Sequence, residues 1–128
     1  MKEHKITIAK REFPLAYTVG TLEKLSKSIE GFDETKIDEI IKSNSGMLDV
    51  LYALAQEGAI KNGTKLDVDR DWFGSHIPVN IKRQISLRLA ITFAVVDGMQ
   101  MESDDEEEVD REIDVVLEEL KKKGVKTS

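Results

Sequence analysis

Asp67, Asp69 and Asp71 alternate along the segment DVDRDWFG, and three carboxylates at that spacing open the loop with which EF-hand sites hold calcium. Such a loop also needs a glycine at its sixth position and a bidentate glutamate at its twelfth. Counted from Asp67, those positions hold Trp72 and Pro78, so the segment reads as a solvated acidic loop ahead of an aromatic pair. Hydrolytic chemistry would need a nucleophile beside a base that loses its proton near neutral pH, and the two imidazoles are His4 and His76. His4 falls in an N-terminal stretch expected to fray. His76 lies beside Gly74 and Ser75 but has no nucleophile context such as G-x-S-x-G. The absence of cysteine removes thiolate nucleophiles, thiolate zinc sites and disulfides. The eight glycines are dispersed and form neither a P-loop nor G-x-G-x-x-G. The expectation is a chain without catalytic residues, metal or cofactor.

The remaining candidate is the densest charge, SDDEEEVDREIDVVLEELKKKG at residues 103–124. Its acids Asp104, Asp105, Glu107 and Glu108 could present a recognition face to a basic partner. Local physics accounts for most of them. Ser103 and Glu106 have the S-x-x-E spacing of a capping box, and acids in a first helical turn complement the helix dipole. Val109, Ile113, Val116, Leu117 and Leu120 then form one apolar stripe, Lys121 to Lys123 occupy the carbonyl end, and Gly124 stands as the stop. The pairs Glu108/Glu112 and Asp114/Glu118 set like charges four residues apart, an excess that helix stability does not explain.

Composition limits what such a chain can do. With 128 residues, 40% of them hydrophobic, it has the size of one domain, 1–128. The net charge of −6 divides as +2 over residues 1–30, −2 over 31–98 and −6 over 99–128. No basic face accumulates, which argues against nucleic-acid binding. The longest apolar run, residues 89–96, is far short of the roughly 20 residues that span a bilayer, and the N-terminus lacks the apolar stretch of a secretory signal, so a cytoplasmic protein without membrane contact is expected.

The elements that position these residues follow from periodicity. Ile6 and Ile8, then Phe13, Leu15 and Tyr17, alternate with polar residues on either side of a tight polar turn, predicting a hairpin over 5–18 with Pro14 at an edge. Residues 19–101 should be a helical core. Thr21 is the expected cap of a helix through Leu22, Leu25 and Ile29 ending at Gly31, and Thr35 opens a short second helix carrying Ile37, Ile40 and Ile41. Ser45 should cap a third, with Leu48, Leu51, Tyr52 and Ala55 on one face and Asn62-Gly63 as its closing turn. A loop through Trp72 and Phe73 leads to a helix over 78–97 with Pro78 in its first turn. Trp72 and Phe73 either plug the core or leave an aromatic anchor for a partner.

That helix carries Ile81, Ile85, Leu89, Phe93 and Val96 on one face, and Leu87, Ile91, Ala94 and Val95 on the other. A segment apolar all round is either central to the core or buried in a contact with another molecule. Met99 and Met101 flank the junction with the C-terminal helix, as gap fillers or as adaptable contacts. The predicted fold is α+β and mostly helical, a two-stranded N-terminal hairpin packed on a bundle of about five helices. The candidate partner or oligomer surface is Leu87, Ile91, Phe93, Val95, Met99 and Met101 with Trp72 and Phe73.

Three stretches, ITIAKREFPLAYT leading into GTLEKLSKSI, MLDVLYALAQEGAIKNG, and the charged C-terminal helix, resemble the tail assembly chaperones of long-tailed bacteriophages, particularly those of Gram-positive hosts. The likeness covers residues 5–100 more fully than the tail. It implies a non-enzymatic, self-associating protein of the host cytoplasm, left out of the finished virion, that binds the tape measure protein, keeps it soluble and helps recruit the tail tube protein. A small acidic regulatory or immunity-type protein masking a basic surface is the alternative.

Overall fold

Alternating Ile6, Ile8, Phe13 and Leu15 give the chain its first two elements, strands β1 (His4–Ile8) and β2 (Arg11–Leu15), paired antiparallel with Ile6 opposite Phe13. The computed structural model describes residues 3–100 and 103–122, the side chains of the last segment from residue 110 onward. The hairpin turns on Ala9-Lys10 in place of a glycine-bearing pair; Ala9 and Lys10 both take positive φ, 51° and 66°, the left-handed geometry that matches hairpin twist. Pro14 lies opposite Lys5, and a sheet of two strands lets its missing donor face outward.

Helix α1 (Val19–Ser28) starts one turn earlier than the sequence suggests. Thr18 is the cap and Thr21 its reciprocal partner at the third helical position, where the buried Thr21 hydroxyl also donates to the Ala16 carbonyl at 2.8 Å. Asp33, rather than Thr35, opens the next segment: its carboxylate accepts from the Thr35 amide and hydroxyl at 3.0 and 2.7 Å. The Thr35 hydroxyl, then its amide, hold the Asp33 carboxyl below the usual range. A tight helical turn, Glu34–Lys36, runs into the four-residue α2 (Ile37–Ile40). Ser43, two residues before the expected cap, starts α3 (Asn44–Lys61), and Gly63 follows it at φ +73°.

Helix α3 is the centre of the molecule. Met47, Val50, Leu51, Ala53, Leu54, Ala55 and Ala59 are all buried, so its apolar residues are used on every side. Gly58 lets it approach β2 closely, since a Cβ there would lie 1.9 Å from the Pro14 carbonyl oxygen. The Ala16 amide donates to the Leu54 carbonyl beside that contact, at 3.1 Å.

Where the sequence predicts only loop, Asp69 caps a short helix, α4 (Arg70–His76), by accepting from the Trp72 amide at 2.8 Å. Helix α5 (Ile81–Gly98) begins after Asn80, whose side chain accepts from the Arg83 amide; Pro78 precedes the helix instead of entering it. Arg88 ties α5 to the end of α2 by donating to the carbonyls of Ile41 and Lys42. One hydrophobic cluster runs from β1 through α5. Helix α6 (Ser103–Lys122) completes an α+β, mostly helical architecture, among the described residues a two-stranded hairpin and six α-helices.

Candidate interaction surface

Helices α3 and α5 are both apolar all round, yet the fold treats them differently. α5 lies at the periphery, turning Leu87, Ile91, Ala94 and Val95 into the core. Those residues are at most 5% exposed, so Leu87, Ile91 and Val95 are structural and cannot form the partner surface expected of them. The reason is visible on the same side of the helix: Ala90, Ala94 and Gly98 leave room for close approach, and a Cβ on Gly98 would lie 2.5 Å from the Tyr17 Cβ. The opposite side, Ile81, Ile85, Leu89, Phe93 and Val96, faces out, with exposures from 46% at Val96 to 77% at Ile81. From Ile81 to Val96 this strip runs about 22 Å along the helix. Among the described residues, Phe93 and Met99, 58% and 59% exposed, are the expected contact residues that the structure leaves exposed.

A shallow apolar groove on this strip is lined by Lys82, Ile85, Ser86, Leu89, Ala90 and Phe93. Apolar surface of this kind forfeits the burial that stabilises the rest of the chain, which makes the strip the candidate contact surface. Helix α6 repeats the pattern. Of its apolar stripe, Ile113, Val116 and Leu117 are 41–56% exposed and Leu120 is half-buried, while the Val109 side chain lies outside the described residues.

The aromatic pair resolves toward the core. Phe73 is fully buried and meets Phe13 and Tyr52 edge-on, with ring centres 5.0 and 6.3 Å apart, so it is no surface anchor. Trp72 is half-buried, edge-on to Phe13 and Phe73, and stacked on His76 at 4.2 Å. The Arg11 guanidinium lies 5.4 Å from its ring centre. Met101 lies outside the described residues, as do the side chains of Asp104, Asp105, Glu107 and Glu108, the Ser103/Glu106 box, and Lys123 and Gly124.

The groups singled out for chemistry are occupied in structural work. Asp67 pairs with Arg11 at 2.6 Å, and that hydrogen bond holds its carboxyl below the usual range. Asp69 is the α4 cap, and His76 Nδ1 hydrogen-bonds the Trp72 carbonyl at 2.7 Å. Among the described residues no cluster of three or more His, Asp or Glu side chains is placed to hold a metal. His4 sits in β1 and bonds Asp97 across 93 residues of chain, so it is anchored where fraying was expected.

Beside this His4–Asp97 pair lies a half-open cleft of about 190 Å³, lined also by Tyr17, Gly58 and Lys61. It is smaller than the roughly 300 Å³ at which small-molecule sites begin. Among the described residues no serine or threonine lines it. The Tyr17 hydroxyl is buried without a hydrogen-bond partner among the described residues. Burial first, and Glu34 second, raise the pKa of that phenol. Among the described residues no helix is long and apolar enough to cross a membrane.

The sequence contained the α5 surface without revealing which face was which. The small residues Ala90, Ala94 and Gly98, at four-residue spacing, were the available signal for the core side. Comparison with known proteins finds no matching family model, no similar curated protein and no similar solved structure.

Proposed function

We propose that the chain is a non-enzymatic assembly chaperone of the phage-tail type, which works in the host cytoplasm by seating an amphipathic helix of its client on the outer face of α5. The client in this reading is the tape measure protein, a long helical chain that must be kept soluble until tail tube subunits are brought to it. The observation that carries the proposal is the open strip from Ile81 to Val96, on a helix whose other face is fully committed to the core. A groove that takes an apolar helical face by its i, i+3, i+4 and i+7 side chains needs this rigidity and length. The stretches ITIAKREFPLAYT and MLDVLYALAQEGAIKNG supply the resemblance, and the fold places them in β1–β2 and in the central helix that supports α5.

Co-expression with the tape measure protein of the same gene cluster tests the reading. The expected result is a several-fold rise in soluble client and a complex that elutes as one species on sizing. A client that stays insoluble, with no complex, would sink it.

A further inference from the structure

We propose that the cleft on the far side of the Tyr17 ring binds an organic ammonium, whose charge is held between the Glu34 carboxylate and the Tyr17 hydroxyl. The inference goes beyond the chaperone reading and is independent of what lies on α5. Tyr17 borders two hollows. The one beside His4 and Asp97, about 190 Å³, is below the size of small-molecule sites, whereas the second, about 370 Å³, falls within their range. This larger cleft opens where three parts of the chain meet: the corner from Tyr17 into α1, the turn at Glu34 and Thr35, and the end of α5 at Gly98 and Met99. Gly98 permits the meeting, because a Cβ there would lie 2.7 Å from the Tyr17 carbonyl oxygen.

Two polar side chains of this cleft are unused. The Tyr17 hydroxyl is hidden from solvent and is the single buried side-chain atom without a hydrogen-bond partner among the described residues. A hydroxyl left this way costs free energy, and a group that completes it recovers the loss. The Glu34 carboxylate is exposed and makes no hydrogen bond or ion pair among the described residues. The cleft's other polar side chains are committed: Thr18 caps α1, and the Thr35 hydroxyl donates to Asp33 at 2.7 Å. Burial first, and the Glu34 charge second, raise the pKa of the phenol, which sets the two unused groups within electrostatic reach of each other.

Charge and hydrogen-bonding capacity select the ligand. The carboxylate repels an anion and attracts a cation. An ammonium brings three N–H donors, enough to serve a carboxylate and a phenolic oxygen together, and the charge-assisted bonds it makes are the strong ones. Glu34, exposed and unpaired, turns inward with the ammonium and delivers it to the hydroxyl. The Tyr17 ring adds a face that attracts cations. Val19, Leu22 and Met99 supply apolar surface for a short alkyl or aryl body, with Val19 79% and Met99 59% exposed before it arrives. A calcium or magnesium ion fits less well, since one carboxylate and a neutral phenol fall far short of the oxygen set such ions take.

Titration of the isotope-labelled full chain with phenethylammonium chloride near neutral pH, followed by backbone amide NMR shifts, tests the site. The expected result is a saturable set of shifts at residues 17–22, 34–35 and 98–99, with a Kd of about 1 mM, ordinary for so small a ligand. Phenylacetate, of similar size and opposite charge, should give no saturable shift, and phenethyl alcohol should bind about tenfold more weakly. Glu34→Gln, at unchanged circular dichroism, should weaken phenethylammonium about tenfold, and Tyr17→Phe about threefold. Nα-acetyl-lysine amide separates the two sources of such a cation: binding as tight as that of phenethylammonium assigns the site to a lysine side chain of a partner, and weaker binding assigns it to a free amine. Three results would overturn the proposal: no saturable shift up to about 20 mM ligand, phenylacetate binding as well as the ammonium, or a Kd unchanged in both Glu34→Gln and Tyr17→Phe. A failed titration alongside a client that is still solubilised removes this inference and leaves the chaperone reading standing.

Discussion

Gly58→Ala separates the structural account from propensity alone, because the two predict opposite signs. Residue 58 is inside α3, and replacing glycine by alanine within a helix normally stabilises by about 1 kcal/mol. Here the added methyl would lie 1.9 Å from the Pro14 carbonyl oxygen and 2.4 Å from its carbon. Ordinary contact begins near 3.4 Å, so α3 and β2 must separate by roughly 1.5 Å, and both neighbours are backbone that cannot rotate away. Overpacking of this kind costs about 1–3 kcal/mol, and the Ala16 to Leu54 hydrogen bond at 3.1 Å, worth about 1 kcal/mol, stretches with it. The expected net loss is about 2 kcal/mol. Equilibrium urea unfolding followed by circular dichroism should show the midpoint falling by about 1 M, for a slope near 2 kcal/mol per M. Gly74→Ala is the matched control, since its methyl meets only the Leu48 Cδ1 at 3.4 Å, and its midpoint should hold or rise. If Gly58→Ala rises in step with Gly74→Ala, the close approach of α3 to the hairpin is refuted.

Replacing Ala9-Lys10 by Asn-Gly should stabilise by about 1 kcal/mol in the same assay, because both positions are left-handed and glycine carries no steric penalty there. Arg88→Lys should lose about 1–2 kcal/mol, since an ammonium cannot serve Ile41, Lys42 and Gln84 together as the guanidinium fork does. For Tyr17 the folded-state pKa lies above its unfolded value near 10, so the native state holds the proton more tightly. Its contribution is complete below pH 10 and is lost as pH rises through the folded pKa. Urea midpoints at pH 8 and 10.5 should therefore fall less for Tyr17→Phe than for wild type, and an equal fall would remove Tyr17 as the cause.

How much of this was legible depended on whether a single periodicity was present. The hairpin was, because Ile6, Ile8, Phe13 and Leu15 alternate and have only one side to bury. Its turn residues were not, since Ala9-Lys10 has none of the usual turn chemistry and is held left-handed by the pairing of the strands. The short helix through Trp72 was missed because its seven residues carry no apolar repeat; the Asp69 to Trp72 cap spacing was the signal that could have found it. Helix starts shifted from Thr21 to Thr18 and from Ser45 to Ser43 because several hydroxyl residues cluster at each start and only tertiary packing chooses among them. α5 is the instructive case. Its two apolar faces are equally plausible core by pattern, and the longer stripe, from Ile81 to Val96, is the one left outside. The choice was made by the small residues at Ala94 and Gly98, which allow α5 to close on the rest of the fold.

The central claim is that the outer face of α5 receives a helical client while its inner face holds the fold, and Leu89→Asp/Phe93→Asp tests it most directly. Both side chains are at least half exposed, so circular dichroism and the urea midpoint should remain within about 0.5 kcal/mol of wild type. Co-purification of the tape measure protein with the folded double variant is the measurement. The account predicts at least a tenfold loss of bound client; a double variant that retains it at the wild-type level would contradict the account.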